Sequence, residues 1–364
     1  MSSSKPAQRL VASGVAALAA LATTVAPDAT AATSAPSGKD VLAHGLLSPL
    51  SVAVTANDAV VYSANFAGEL YLKRAGEKRK LLFRSKRGAE VGAVSVDRRG
   101  VWFVHGATLM RRTWKGEVRR VASLGAHEKT TNPDAEATYG VTDLSAECAA
   151  QWPTGPDAPP QQYDGIVESH PYGTATNGGA VFVADAAGNS ILRVRRDGSV
   201  STIAVLPAIP VEITQEFADA AGVPDCAVGH DYLFEPVPTD VEIGPDGRLY
   251  VSSLPGGPED GSVPGGVFTV HPGNGHQTQI ATGLVSATGL DVAANGDVLV
   301  SELFAGKITR IASGDGAQST FVRVPFPAAV EVKGDHVYAT VNALSGLSGQ
   351  PGDAPAGKVV RYTP

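Results

Sequence analysis

Cysteine and methionine occur only twice each in the 364 residues, and aromatic residues make up 6%. The two cysteines, Cys148 and Cys226, do not form a Cys-x-x-Cys, so neither a zinc ribbon nor a local dithiol motif is present. His-Glu-x-x-His, Gly-x-Ser-x-Gly, a P-loop and an EF-hand loop are missing as well. This removes the local signatures of metalloproteases, α/β-hydrolases, nucleotide enzymes and helical calcium sites. A basic excess is also lacking: the net charge is −7. Nucleic acid is therefore not an expected partner. Helical periodicity is almost absent, while 41 glycines and 25 prolines punctuate the chain, and this combination points to an all-β fold.

Only the N-terminus carries a long apolar run. Lys5 and Arg9 precede Leu10 to Val25, and Ala29-Thr30-Ala31 follows. The run is interrupted by Ser13, Thr23 and Thr24 and is shorter than the roughly twenty residues of a membrane span, so residues 1–31 read as a secretory signal peptide. Removing them takes Lys5, Arg9 and Asp28 and leaves a charge of about −8. The expectation is a secreted, extracellular monomer with no membrane span. In that compartment Cys148 and Cys226 are expected to pair, closing a loop of about 78 residues worth about 4 to 5 kcal/mol in loop-closure entropy.

What is abundant is self-similarity. A Pro-x-x-apolar-x-apolar pattern starts at Pro49, Pro171, Pro238 and Pro327, with degenerate copies at Val91 and Ala287. A second apolar run follows each of the six anchors after 10 or 11 residues, at Val60, Val101, Val181, Leu249, Val298 and Val337. Between the two runs lie turn residues such as Asn57-Asp58, Gly178-Gly179 and Asn295-Gly296, which tolerate the positive φ of tight hairpins. Third and fourth runs follow in five copies; the sixth lacks its fourth. Residues 40–47, which precede Pro49 as fourth runs precede other anchors, supply it. The expected fold is a six-bladed β-propeller of four-stranded blades spanning residues 40–364, its ring closed by the N-terminal strand completing the last blade.

Anchor spacings of 42, 80, 67, 49 and 40 locate extra chain in large insertions at 125–167 and 208–237. Smaller insertions occupy 255–265 and 345–357. Up-and-down connectivity places all four at one end of the ring, which is the expected functional face. Short helices are expected at 143–152 and 214–221.

Candidate chemistry is dispersed. Asp185 and Asn189 read as blade-building residues, whereas Glu302 ends its strand without a downstream Asn. Glu168, His170, Asp240, Glu242, Asp291 and Glu331 lie at or before first strands, near the channel axis, with His230, Asp231 and Glu235 in an insertion. Of these, Glu168, His170, Asp240, Asp291 and Glu302 are the candidate ligand-binding set. Glu168, Asp240 and Glu302 are the trial ligands for Ca²⁺, whose coordination needs six to eight oxygens. Trp152, Tyr163, Tyr172, Tyr232 and Phe234 form either an apolar rim or packing for the insertions.

The stretch Ser169, Pro171-Tyr172-Gly173, Val183-Ala184-Asp185-Ala186, Gly188-Asn189 and Leu192-Arg193-Val194 resembles the ScyD/ScyE family of exported bacterial propeller-like proteins. Val237-Pro238-Thr239, Gly244-Pro245-Asp246-Gly247 and Leu249-Tyr250-Val251 extend the resemblance. The chain departs from the family at Glu168, His170 and Asp240. The resemblance implies an exported, NHL-like propeller and brings no catalytic residues with it. Three functions are open at this point: binding of a small molecule, glycan or protein on the decorated face; a divalent-metal-dependent hydrolase or lyase resembling gluconolactonase-type propellers; and a cell-envelope interaction scaffold.

Overall fold

The computed structural model describes residues 36–86, 88–155 and 158–363. The expected signal peptide lies outside them. Six four-stranded antiparallel sheets follow the repeat. Blade 1 comprises Val52–Val54, Val60–Ala64, Glu69–Lys73 and Lys80–Arg84. Blade 2 comprises Val91–Asp97, Gly100–His105, Thr108–Thr113 and Val118–Ser123, and blade 3 comprises Pro171–Thr176, Ala180–Asp185, Ser190–Arg195 and Val200–Val205. Blade 4 contains Pro238–Ile243, Leu249–Ser253, Gly265–Val270 and Gln277–Leu284; blade 5 contains Ala287–Val292, Val298–Glu302, Lys307–Ile311 and Gln318–Arg323. Blade 6 is Val330–Lys333, His336–Val341 and Gly357–Thr363, completed by Gly38–Leu46.

The turn chemistry explains the first hairpin of every blade. Asp58, Gly100, Gly178, Gly247, Gly296 and Gly334 all adopt positive φ there, the backbone state that tight hairpins demand. Apolar residues on both sides of each sheet then stack blade on blade. Six separate cores result, each joining two consecutive blades. Phe103 and Leu70 pack between blades 1 and 2, Trp102 and Leu192 between 2 and 3, and Phe268 and Phe182 between 3 and 4. Leu290 and Val267 join blades 4 and 5, Tyr362 and Ile308 join 5 and 6, and Tyr62 and Tyr338 join 6 and 1. The last of these cores also holds Ala43 and Leu46 of the N-terminal strand.

The first strands meet in sequence around the axis, and the sixth meets the first. Hydroxyl groups latch neighbours together. Thr174 donates to Ala93 O (2.7 Å), Thr239 to Ala287 O (2.8 Å) and Thr288 to Ala328 O (2.9 Å). The Lys333 ammonium crosses from blade 6 to the Thr55 carbonyl and to Asp58 (2.8 Å) in blade 1. The N-terminal strand lies antiparallel to Gly357–Thr363, from Gly38 opposite Thr363 to Leu46 opposite Gly357.

A seventh four-stranded sheet stands outside this repeat. It is a cap assembled from both large insertions, in the order Gln162–Asp164, Thr138–Gly140, Asp231–Phe234 and Ile209–Glu212. Gly140 lets the outer strand of the cap approach closely: at φ 84° a Cβ there would stand 2.3 Å from Gln161 O. Ala146–Ala149 is the only helical part of the expected 143–152 segment. Gln215–Ala221 forms as expected, capped by Thr214 and stopped by Gly222 in the left-handed region. A helix at Leu124–Thr131 was not foreseen. The Cys148–Cys226 disulfide fastens the two insertions, and Trp152, Ile213, Tyr232 and Phe234 fill the cap's own core. Val263 of the 255–265 insertion joins that core. No helix among the described residues is long and apolar enough to cross a membrane.

Candidate functional site

Residues from all six first strands converge on one narrow central cleft: Val52, Val94, Tyr172, Asp240, Thr288 and Val330 each represent one blade. Register makes the lining unequal. Glu242, Asp291 and Glu331 occupy the same position in three consecutive blades, opposite Tyr250, Leu299 and Tyr338. In blades 1 to 3 that position holds Ala53, Ser95 and Ala175, opposite Val61, Trp102 and Phe182. The acid is thus confined to one half of the ring.

Asp240 adds a fourth carboxylate where blades 3 and 5 have Gly173 and Gly289. Gly173 is required by this neighbour, because a Cβ there would lie 2.6 Å from the Asp240 Cα. Asp240 accepts the Leu290 amide of blade 5 (3.0 Å), and Asp291 accepts the Val332 amide of blade 6 (2.5 Å). These inner edges have no strand beyond them, so the carboxylates satisfy donors that would otherwise be orphaned. Burial pushes Asp240 and Asp291 up to about 7, against the pull of those amides, and Asp291 adds to the rise at Asp240. Burial and then the neighbouring carboxylates raise Glu242 and Glu331 well above the usual range, with Lys333 opposing at Glu331. At neutral pH such a group holds protons or a cation.

His170, Tyr172 and Glu90 sit above Asp240, where the first strands begin. His170 Nε2 lies 3.0 Å from Glu90 Oε2, and Asn65 donates to Glu90 Oε1 (2.8 Å). Glu90 raises the His170 pKa more than burial lowers it. Burial alone would raise Glu90, but His170 and Asn65 hold it below its ordinary value. The Tyr172 phenol is pushed up by burial and by Glu90, Glu259 and Asp240, so it stays protonated as a donor. Its ring meets His170 edge-on at 6.1 Å. Across the mouth Ser286 donates to Glu259.

The other sequence candidates separate. Asp185 is fully buried and accepts from Ser169 Oγ (2.7 Å) and the His170 amide (2.7 Å), so it sets the turn that presents His170. Glu302 is its counterpart in blade 5. It is fully buried, accepts the Val285 amide (2.8 Å) and the Thr309 hydroxyl, and pairs with Lys307 (3.2 Å). Its inclusion in the binding set is corrected: it builds its blade and does not reach the channel. The trial Ca²⁺ set of Glu168, Asp240 and Glu302 falls with it, since no three His, Cys, Asp or Glu side chains among the described residues group to hold a metal. Glu168 stands between mouth and cap, where its charge raises both His170 and Glu235. His230 pairs with Asp143 (2.8 Å) between the two insertions. Of the aromatic candidates, Trp152, Tyr232 and Phe234 are cap core, Tyr163 bonds Glu235 (2.9 Å), and Tyr172 alone lines the channel.

Sequence reasoning missed Glu90 and Glu259, because neither belongs to a motif, and it missed a buried acid cluster beneath the cap. There Asn189 donates to Asp134 (2.9 Å) and Glu235 (3.2 Å), and Tyr139 donates to Asp134 (3.3 Å). Glu128 is 1% exposed, and burial followed by the charges of Asp185 and Asp134 pushes it up to about 7. The Asn of the blade motif therefore ties the cap down as well as shaping its own turn.

No protein-family model matches the chain, and no characterised protein matches it by sequence. Solved structures do. A luciferin-regenerating enzyme is 10% identical over 90% of this chain and 95% of that one, with a TM-score of 0.55. A gluconolactonase from Xanthomonas campestris is 14% identical over 90% and 89%, with a TM-score of 0.53. A catalytically inactive virginiamycin B lyase from Staphylococcus aureus, solved with quinupristin, is 16% identical over 90% and 98%, with a TM-score of 0.50. At these identities the likeness is one of fold, and the chain is a β-propeller.

Proposed function

We propose that this chain is an exported propeller of the ScyD/ScyE kind that binds a small, amine-bearing molecule at the insertion-bearing mouth of its channel. One observation carries the reading: Asp240, Glu242, Asp291 and Glu331 line one side of the channel, and among the described residues Lys333 is the single cation opposing them. An ammonium group entering there displaces protons and relieves the repulsion among the carboxylates. Tyr172 and the Glu90–His170 pair at the mouth supply hydrogen bonds to hydroxyl groups on the same ligand. The N-terminal leader pattern and the Cys148–Cys226 bridge support export. The metal-dependent hydrolase reading loses its ligand set, and the scaffold reading has no particular surface in its favour.

Calorimetric titration with glucosamine, using glucose as the uncharged control, tests this. Glucosamine is expected to bind with release of protons to the buffer, more tightly at pH 8 than at pH 5, and about tenfold more weakly in Asp240→Asn. Equal binding of glucose, or an unaltered affinity in Asp240→Asn, would contradict the charge-based reading. Absence of heat with both sugars would overturn the mouth as their site.

A further inference from the structure

At the opposite end of the ring, away from the insertions, blades 2 and 3 part around a cleft of about 400 Å³. Arg99, Arg111, Arg119 and Arg196 line it, together with Trp102. In a chain of net charge −7 this concentration of guanidinium groups is exceptional. Arg99 comes from the first hairpin of blade 2, Arg111 and Arg119 from its outer strands, and Arg196 from the third hairpin of blade 3. Among the described residues none of the four forms an ion pair. Arg196 donates to the Gly178 carbonyl (2.9 Å), and Arg111 lies over the Trp102 ring, 5.5 Å from its centroid.

Two donors packed behind the cleft lack partners. Trp102 is 5% exposed, yet its indole N–H has no acceptor, and the buried Nε of Arg111 has none either. A buried donor without a partner forfeits the hydrogen bonds it made to water, a loss of about 1 to 3 kcal/mol. Asp97 and Glu117 are the carboxylates Arg111 feels; Asp97 Oδ1 accepts the amides of Arg99 (2.8 Å) and Gly100 (3.1 Å), while its buried Oδ2 has no partner. Burial and the Arg119 charge hold Arg111 below the usual arginine range. Four like charges around one cavity are the complement of an oxyanion.

We infer that this cleft is a second binding site, for a small molecule carrying a phosphate or sulfate ester. The volume suits a compact organic body, within the roughly 300 to 1,000 Å³ of small-molecule sites. The tetrahedral oxyanion receives the forked guanidinium donors. This site is independent of the channel, since it draws on other blades' hairpins and on charge of opposite sign.

The test uses the full chain in low-salt buffer, with glucose 6-phosphate, glucose 6-sulfate and glucose as probes. Binding is read by calorimetry and by tryptophan fluorescence. Either ester is expected to bind while glucose does not, and affinity falls as salt rises. Arg111→Gln combined with Arg119→Gln is expected to weaken binding by at least about tenfold, with a melting temperature unchanged or raised because repulsion is relieved. Arg323→Gln, in the fourth strand of blade 5, is expected to bind as the parent does. If the phosphate ester alone binds, or the sulfate ester alone, the source of the oxyanion is identified. No binding of either ester up to about 10 mM, or full affinity in the folded double variant, would overturn the site.

Discussion

Asp185, Asn189 and Glu302 show how far one residue can be understood from its place in a repeat. That Asp185 and Asn189 are architectural was legible from the Val-Ala-Asp-x-x-x-Asn pattern. Their partners were not, because Ser169, Asp134 and Glu235 belong to segments with no counterpart in other blades. Glu302 was misassigned for the complementary reason: without an Asn downstream it resembled a functional exception, yet Thr309 and Lys307 satisfy it from the next strand. The buried acids have a measurable consequence. Burial raises Glu128 from 4.5 to about 7 and Asp185 from 3.8 to about 6. A carboxyl raised in the folded state contributes stability that is full below its unfolded value and is lost as pH rises through its folded value. Asp240 and Asp291, both near 7, act with the same sign. Asp297 and Asp260, held below 3.8, act only in stronger acid. Melting temperature is therefore expected to fall as pH rises from about 4.5 to about 7.5. Glu128→Gln is expected to flatten part of that slope and to raise the melting temperature at pH 8 by about 2 °C or more. A flat or rising profile in the parent chain would contradict this.

Among the elements, the blade strands were readable because hairpin residues and apolar runs recur at fixed offsets, and each strand except the N-terminal one pairs with its sequence neighbour. The cap sheet lacks both signals. Its strands are three or four residues long, and Gly140 finds Leu233 across the whole of blade 3. Only the disulfide hinted that the two insertions meet. Cys148 and Cys226 are 78 positions apart, so replacing both with Ser is expected to cost about 4 to 5 kcal/mol in denaturant unfolding. Hydrogen exchange is expected to show cap amides, such as those of Tyr232 and Leu233, losing protection before those of blade 5. Uniform loss across cap and ring would show that the cap is no separate unit.

For the whole molecule, closure rests on the N-terminal strand. Ala43 and Leu46 are buried between blades 6 and 1, and the strand covers an edge that would otherwise expose the backbone of Gly357–Thr363. Deleting residues 40–47 is expected to lower the melting temperature by many degrees and to promote association through that edge; an unchanged monomeric melt would contradict this. Legibility also differed between the two ends of the ring. The acidic channel could be anticipated from carboxylates at repeat positions, whereas the arginine cleft lies among minimal hairpins, where pattern reading found only turns.

The pairing of Asp40 with Arg361, 321 positions apart, sets an order in time. During synthesis, residues 38–46 are made before any other blade strand and their partner strand Gly357–Thr363 is made after all the others. Blades 1 to 5 can assemble from neighbouring strands as they appear, but the seam must wait while an unpaired strand is carried for nearly the whole of synthesis. The late seam keeps the chain an open arc for most of its production, so the ring becomes resistant to proteolysis only in its final step.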